Sequence, residues 1–101
     1  MCRAFQTAID VLGRPWTGEI LVVLQGGRLR FSEIGEHLGG ACGDKTLSAR
    51  LKDLEERGIL ARHVEPGPPV RVAYELTERG EAFRNVAGAI EKWGRSLIDT
   101  E

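Results

Sequence analysis

The sequence predicts one mainly α domain carrying a small β-hairpin, on three observations. Five stretches space their apolar residues at three and four, the helical period. One pair of short stretches, 59–64 and 70–76, flanks the stiff turn Glu65-Pro66-Gly67-Pro68-Pro69. Glycines punctuate the chain between these stretches rather than inside their apolar faces.

Taken in order, residues 2–12 place Cys2, Phe5, Ile9 and Leu12 on one helical stripe that Gly13 ends. Pro15 suits a helix start, where its missing N–H costs nothing, and the second helix carries Trp16, Ile20, Leu21 and Leu24 before Gly26-Gly27. Arg28-Leu29-Arg30-Phe31 reads as an extended connector. Ser32 is the expected cap of a third helix with Ile34 and Leu38 inward, ended by Gly39-Gly40. Asp44 is the expected cap of a fourth helix, 44–57, whose Leu47, Leu51 and Leu54 share a face. In the hairpin, 59–76, Val70, Val72, Tyr74 and Leu76 alternate with Arg71, Ala73 and Glu75. Thr77 is the expected cap of a long last helix, 77–98, striped by Phe83, Val86, Ile90, Trp93 and Leu97. The whole of 1–101 reads as one domain, without repeat or linker.

Two short helices joined by a tight turn and followed at once by a hairpin form a winged helix-turn-helix arrangement. The helix at 44–57 then takes the recognition position and 59–76 the wing. With its leucines inward, the fourth helix turns Lys45, Thr46, Ala49 and Lys52 outward, with Ser48 and Arg50 on the flanks. Its N-terminal half is basic and small, the half that enters a major groove. Small side chains let the backbone approach base edges, and Lys45, Arg50 and Lys52 have the reach for phosphates or guanine edges. Arg62, His63 and Arg71 on the hairpin, with Arg30 and Arg28 before the third helix, extend the candidate DNA-binding set. Charged outer faces are routine on amphipathic helices, so the ordered combination carries more than the charges do.

Net charge is −1, with 42% hydrophobic and 29% charged residues. The near-zero balance supports a rival reading, a winged-helix module for protein contact rather than specific DNA binding. The apolar run Ile20 to Leu24 is far too short to cross a bilayer, and Met1 to Phe5 shows no signal-peptide pattern, so a cytoplasmic place and no membrane partner are expected. Cys2 and Cys42 lack zinc-ligand spacing, and His37 and His63 fall in no pattern with a nucleophile. No metal, cofactor or enzymatic activity is expected, and no residue identifies a small-molecule effector.

A domain of this length has a modest core, and residues 16–76 suffice to fill it. Two further striped helices at 2–12 and 77–98 therefore read as dimerisation helices, through Phe5, Ile9, Leu12, Phe83, Val86, Ile90, Trp93 and Leu97. A two-fold homodimer presents two recognition helices to half-sites of double-stranded DNA arranged as an inverted repeat.

Leu12-Gly13-Arg14-Pro15-Trp16-Thr17, Arg30-Phe31-Ser32-Glu33-Ile34, Leu47-Ser48-Ala49-Arg50-Leu51-Lys52-Asp53-Leu54-Glu55, the run Pro68 to Thr77 and Trp93-Gly94 follow one another in order. Together they resemble the HxlR family of MarR-like bacterial regulators over nearly the whole chain. Two departures stand out. Arg14-Pro15-Trp16 replaces the family's usual glycine-lysine-tryptophan, and the turn 39–43 is unusually rich in glycine. The resemblance implies a dimeric winged-helix transcription regulator, joined through its terminal helices, that controls its own or a neighbouring gene. It also aligns Cys2 with an N-terminal cysteine that senses oxidants or electrophiles in some relatives. Cys2 is thus either a sensor thiol or one more member of the stripe with Phe5 and Ile9. Cys42 is a second sensor candidate.

Overall fold

The computed structural model describes residues 2–98. Six α-helices and three strands follow one another: α1 Arg3–Leu12, α2 Thr17–Val23, β1 Leu29–Arg30, α3 Phe31–His37, α4 Asp44–Glu56, β2 Leu60–Glu65, β3 Arg71–Leu76, α5 Glu78–Glu81 and α6 Phe83–Ile98. A short 3-10 turn, Leu24–Gly26, closes α2. The wing is a three-stranded antiparallel sheet ordered β1-β3-β2, because the expected connector at Leu29–Arg30 pairs with Tyr74 and Ala73. The hairpin register runs from Leu60 opposite Leu76 to Glu65 opposite Arg71.

Ile20, Leu24, Ile34, Leu47, Leu51 and Leu54 are fully buried, and Leu60, Tyr74 and Leu76 close the core from the sheet. All three leucines of α4 thus point inward, which fixes its outer face.

Three helix starts differ from expectation, and the last begins where expected but stops early. The second helix begins at Thr17 with Trp16 as its cap, so Pro15 lies before the helix and not at its start. The third helix begins at Phe31, one residue before Ser32, because the Glu33 carboxylate accepts the Arg30 N–H at 2.8 Å and caps from inside the first turn. The fourth takes Gly43 as its cap, at φ 70 and ψ 146, so Asp44 is its first helical residue and faces the positive helix end. Thr77 does cap, accepting the Gly80 N–H at 3.2 Å, but the helix it starts is only α5. The expected single helix 77–98 is interrupted at Ala82. Its first turn is pinned to the sheet, since the Thr77 hydroxyl lies 2.6 Å from the Gly58 carbonyl and 3.0 Å from that of Ile59, whereas α6 follows Phe83 onto the helical core.

The two terminal helices are poorly covered within the protomer. Only Val11 of α1 is buried, and α6 buries no residue. Phe5 is 58% exposed and Trp93 66%. Ile9, Val86, Ile90 and Leu97 are exposed as well, while Leu12 and Phe83 pack against the protomer's own core. An apolar cleft of about 860 Å³ opens between α2 and α6, walled by Leu12, Trp16, Val22, Phe83 and Ile90. No described helix is long and apolar enough to cross a membrane.

Candidate nucleic-acid interface

Helix α4 presents Lys45, Ser48, Ala49 and Lys52 fully to solvent, with Thr46 half-buried beside them. Among the described residues neither lysine enters an ion pair, and Asp44 is exposed beside Lys45 in the first turn. At the other end, Asp53 is tied to Arg57 at 3.1 Å, and Glu55 and Glu56 stay exposed. Three of the four acidic residues of the helix thus lie in its last turn, away from the N-terminal half by which a recognition helix enters a major groove.

On the wing, Arg62 and Arg71 are exposed and make no ion pair among the described residues either. The remaining candidates are engaged inside the protein. The Arg30 Nε donates to Glu65 at 2.9 Å, clasping β1 to the far end of β2. Glu75 Oε1 accepts from the Arg28 guanidinium at 3.1 Å and lies 2.8 Å from His63 Nε2. These two donors, Arg28 first, hold the Glu75 carboxyl below the usual glutamate range. Arg50 is half-buried, and its Nε donates to the Pro15 carbonyl at 2.8 Å. Sequence reading had no signal for that bond, which joins residues 35 apart.

The two cysteines have opposite surroundings. Cys2 is exposed and is the N-cap residue of α1. The backbone N–H groups of Phe5 and Ala4 approach its sulfur and lower its pKa, the effect a helix start exerts on a thiolate. Cys42 is buried beneath the turn before α4, and burial pushes its thiol up. Among the described residues, no group of three or more His, Cys, Asp or Glu side chains is arranged to hold a metal ion.

A three-stranded wing behind a helix-turn-helix with a basic outer face defines the class, a winged-helix transcription regulator. The model of the HxlR-like helix-turn-helix family matches residues 11–101, and the chain belongs to that family. It is 42% identical to the HTH-type transcriptional regulator YvaP of Bacillus subtilis over 98% of this chain and 91% of that one. It is 41% identical to YodB, an HTH-type transcriptional regulator of the same organism, over 98% of this chain and 88% of that one. The structure of YodB in its reduced form superposes with a TM-score of 0.89, covering 100% of this chain and 98% of that one at 38% identity. The redox regulator HypR in its reduced form superposes with a TM-score of 0.87, covering 96% and 95% at 29% identity.

Proposed function

We propose that this regulator binds an inverted-repeat operator as a cytoplasmic homodimer and that the Cys2 thiol controls the binding. The observation that carries the DNA-binding part is the unpaired Lys45–Lys52 face of α4, flanked by unpaired Arg62 and Arg71 on the wing. Lys45, Thr46, Ser48, Ala49 and Lys52 enter the major groove, and the wing arginines lie along the backbone or the minor groove. His63 and Arg30 sit at the edge of this surface, tied to Glu75 and Glu65 respectively, and they serve to hold the wing in shape.

The exposed apolar faces of α1 and α6 support the dimer. Phe5, Ile9, Val86, Ile90 and Trp93 form more bare surface than a small monomer of modest core tolerates. A second copy of the same two helices is the self-complementary cover, and it joins α1, which Cys2 caps, to the dimer geometry. Reduced and quinone-bound YodB both superpose on this chain, with TM-scores of 0.89 and 0.84. That likeness supports a thiol chemistry open to oxidants and electrophiles at Cys2. The step is conjugate addition of the Cys2 thiolate to a ring carbon of a quinone: the carbon–sulfur bond forms as the ring C=C pair moves to a carbonyl oxygen, which takes a proton from water, and the proton on the attacked carbon passes to the second oxygen, leaving an S-linked hydroquinone.

The test is a fluorescence-anisotropy titration of reduced protein against its own upstream intergenic DNA, with scrambled competitor, at two salt concentrations. Tight binding that survives the competitor, falls with salt, and weakens on benzoquinone treatment of the wild type but not of Cys2→Ser is expected. Lys52→Ala is expected to reduce the slope of log K against log salt by about 0.9, one phosphate's worth of released counterions. Equal affinity for operator and scrambled DNA refutes specific recognition and leaves the wing and α4 as a protein-contact surface.

A further inference from the structure

We propose that Arg50 is a positioning residue rather than a DNA contact, a strut that fixes the angle between the recognition helix and the dimerisation helix. This rests on the dimeric DNA-binding reading above. The Arg50 side chain leaves α4 on its flank and donates Nε–H to the Pro15 carbonyl at 2.8 Å. Among the described residues, this is the one hydrogen bond between α4 and anything in 2–42. Pro15 lies in the turn between α1 and α2, three residues after α1 ends at Leu12. A single bond thus connects the helix that meets DNA to the segment that leaves the exposed apolar helix.

The acceptor end is stiff. Pro15 has its own φ fixed by its ring. Trp16, next to it, sits at φ 72 and is the one described non-glycine residue with positive φ. A bulky side chain in the left-handed region persists only where its surroundings over-determine it. Trp16 is held on both sides. Its ring packs against the core, and its carbonyl accepts the Ile20 N–H at 3.0 Å as the cap of α2. The Arg50 bond fixes the plane of the Pro15–Trp16 peptide, so the guanidinium grips a part of the chain that does not yield. The donor end is held as well, because Arg50 is half-buried between fully buried Leu47, Leu51 and Leu54 on its own helix.

A strut and a phosphate contact make different predictions. A contact contributes a released counterion and is blind to operator geometry. A strut contributes no counterion, but it sets how far apart and at what twist two recognition helices stand, which is read as selectivity for half-site spacing. The experiment uses the full chain, reduced, on the operator footprinted from the upstream DNA and on a copy with one base pair inserted between the half-sites.

Three variants separate the outcomes. Arg50→Met keeps the stem and removes charge and donor. Arg50→Gln removes the charge but leaves an N–H donor at the position of Nε. Lys52→Ala is the contact control. If Arg50 is a strut, Arg50→Met keeps the wild-type salt slope and loses most of the discrimination between the two spacings, by about tenfold. Arg50→Gln restores that discrimination, and Lys52→Ala lowers the slope without touching it. Amide exchange around Trp16 and Thr17 speeds up in Arg50→Met, without DNA, and not in Lys52→Ala. A slope lowered by about 0.9 in both Arg50→Met and Arg50→Gln, with discrimination intact, makes Arg50 a contact and overturns the strut. So does wild-type behaviour of Arg50→Met in every readout. Failure of the wild type to prefer its operator is a different result, and it removes the DNA-binding reading itself.

Discussion

Gly80→Ala puts a single methyl group where the fold has no room for it. A Cβ on Gly80 falls 2.3 Å from the Ile59 carbonyl oxygen and 3.0 and 3.2 Å from two carbons of Leu76. Ordinary contact begins near ~3.5 Å, so the backbone must move by about 1 Å. The Ile59 oxygen cannot retreat freely, because it accepts the Thr77 N–H at 3.1 Å and the Thr77 hydroxyl at 3.0 Å. Overpacking of this kind costs about 1–3 kcal/mol, and each loosened hydrogen bond adds about 1 kcal/mol. Alanine returns about 1 kcal/mol through its better helix propensity. A net loss of about 2–4 kcal/mol remains, which at about 2 kcal/mol per molar lowers the urea midpoint by about 1–2 M. The assay is urea unfolding followed by circular dichroism at one fixed protomer concentration, because association shifts apparent stability. Gly18→Ala is the matched control, since nothing lies within 4 Å of its Cβ, and its midpoint is expected to hold or rise. A Gly80→Ala midpoint equal to wild type would show that α5 is not seated against Ile59 and Leu76 as described.

Three further outcomes are expected. Ile90→Glu places a charge in the middle of the exposed stripe of α6; in sedimentation equilibrium the wild type should run at the mass of the proposed dimer and the variant at that of a monomer, and equal masses sink the helix-mediated dimer. Iodoacetamide should modify Cys2 in the native protein, with a rate that rises at a pH below the ordinary thiol range of about 8.5, and reach Cys42 only on unfolding; equal rates at the two sites, read by peptide mass spectrometry, contradict their opposite surroundings. Glu75 has a folded pKa below its unfolded one, so its ionised form contributes stability above about pH 4.3 that is lost as pH falls through the folded value. Glu75→Gln should therefore flatten the acid limb of a stability–pH profile, and an identical limb in both proteins removes the Arg28–Glu75–His63 cluster as a stabilising element.

The elements that place the interface were legible because they are local. Leu47, Leu51 and Leu54 fix the inward face of α4 by spacing alone, and Lys45 and Lys52 emerge on the opposite face. The hairpin followed from its alternation and its proline turn. Helix starts were less legible. Ser32 and Asp44 look like caps, yet the cap positions are Arg30, two residues before Ser32 and closed by the Glu33 carboxylate, and Gly43, one residue before Asp44. The partners of the basic residues were not legible at all. Glu65 meets Arg30, and Glu75 meets Arg28 and His63, only through the register of three strands. Arg50 reads as one more cation on a basic helix until the turn carrying Pro15 is folded beside it.

Order of synthesis gives the bare apolar faces of α1 and α6 another consequence. Helix α1 is made well before α6, and within a single chain it covers little more than Val11. Phe5 and Ile9 therefore have no cover while the wing and the recognition helix are still being translated. In the homodimer proposed above, their cover is a helix of a second chain. Pairing is then a second-order event, and its rate follows the square of the protein's concentration rather than the concentration itself.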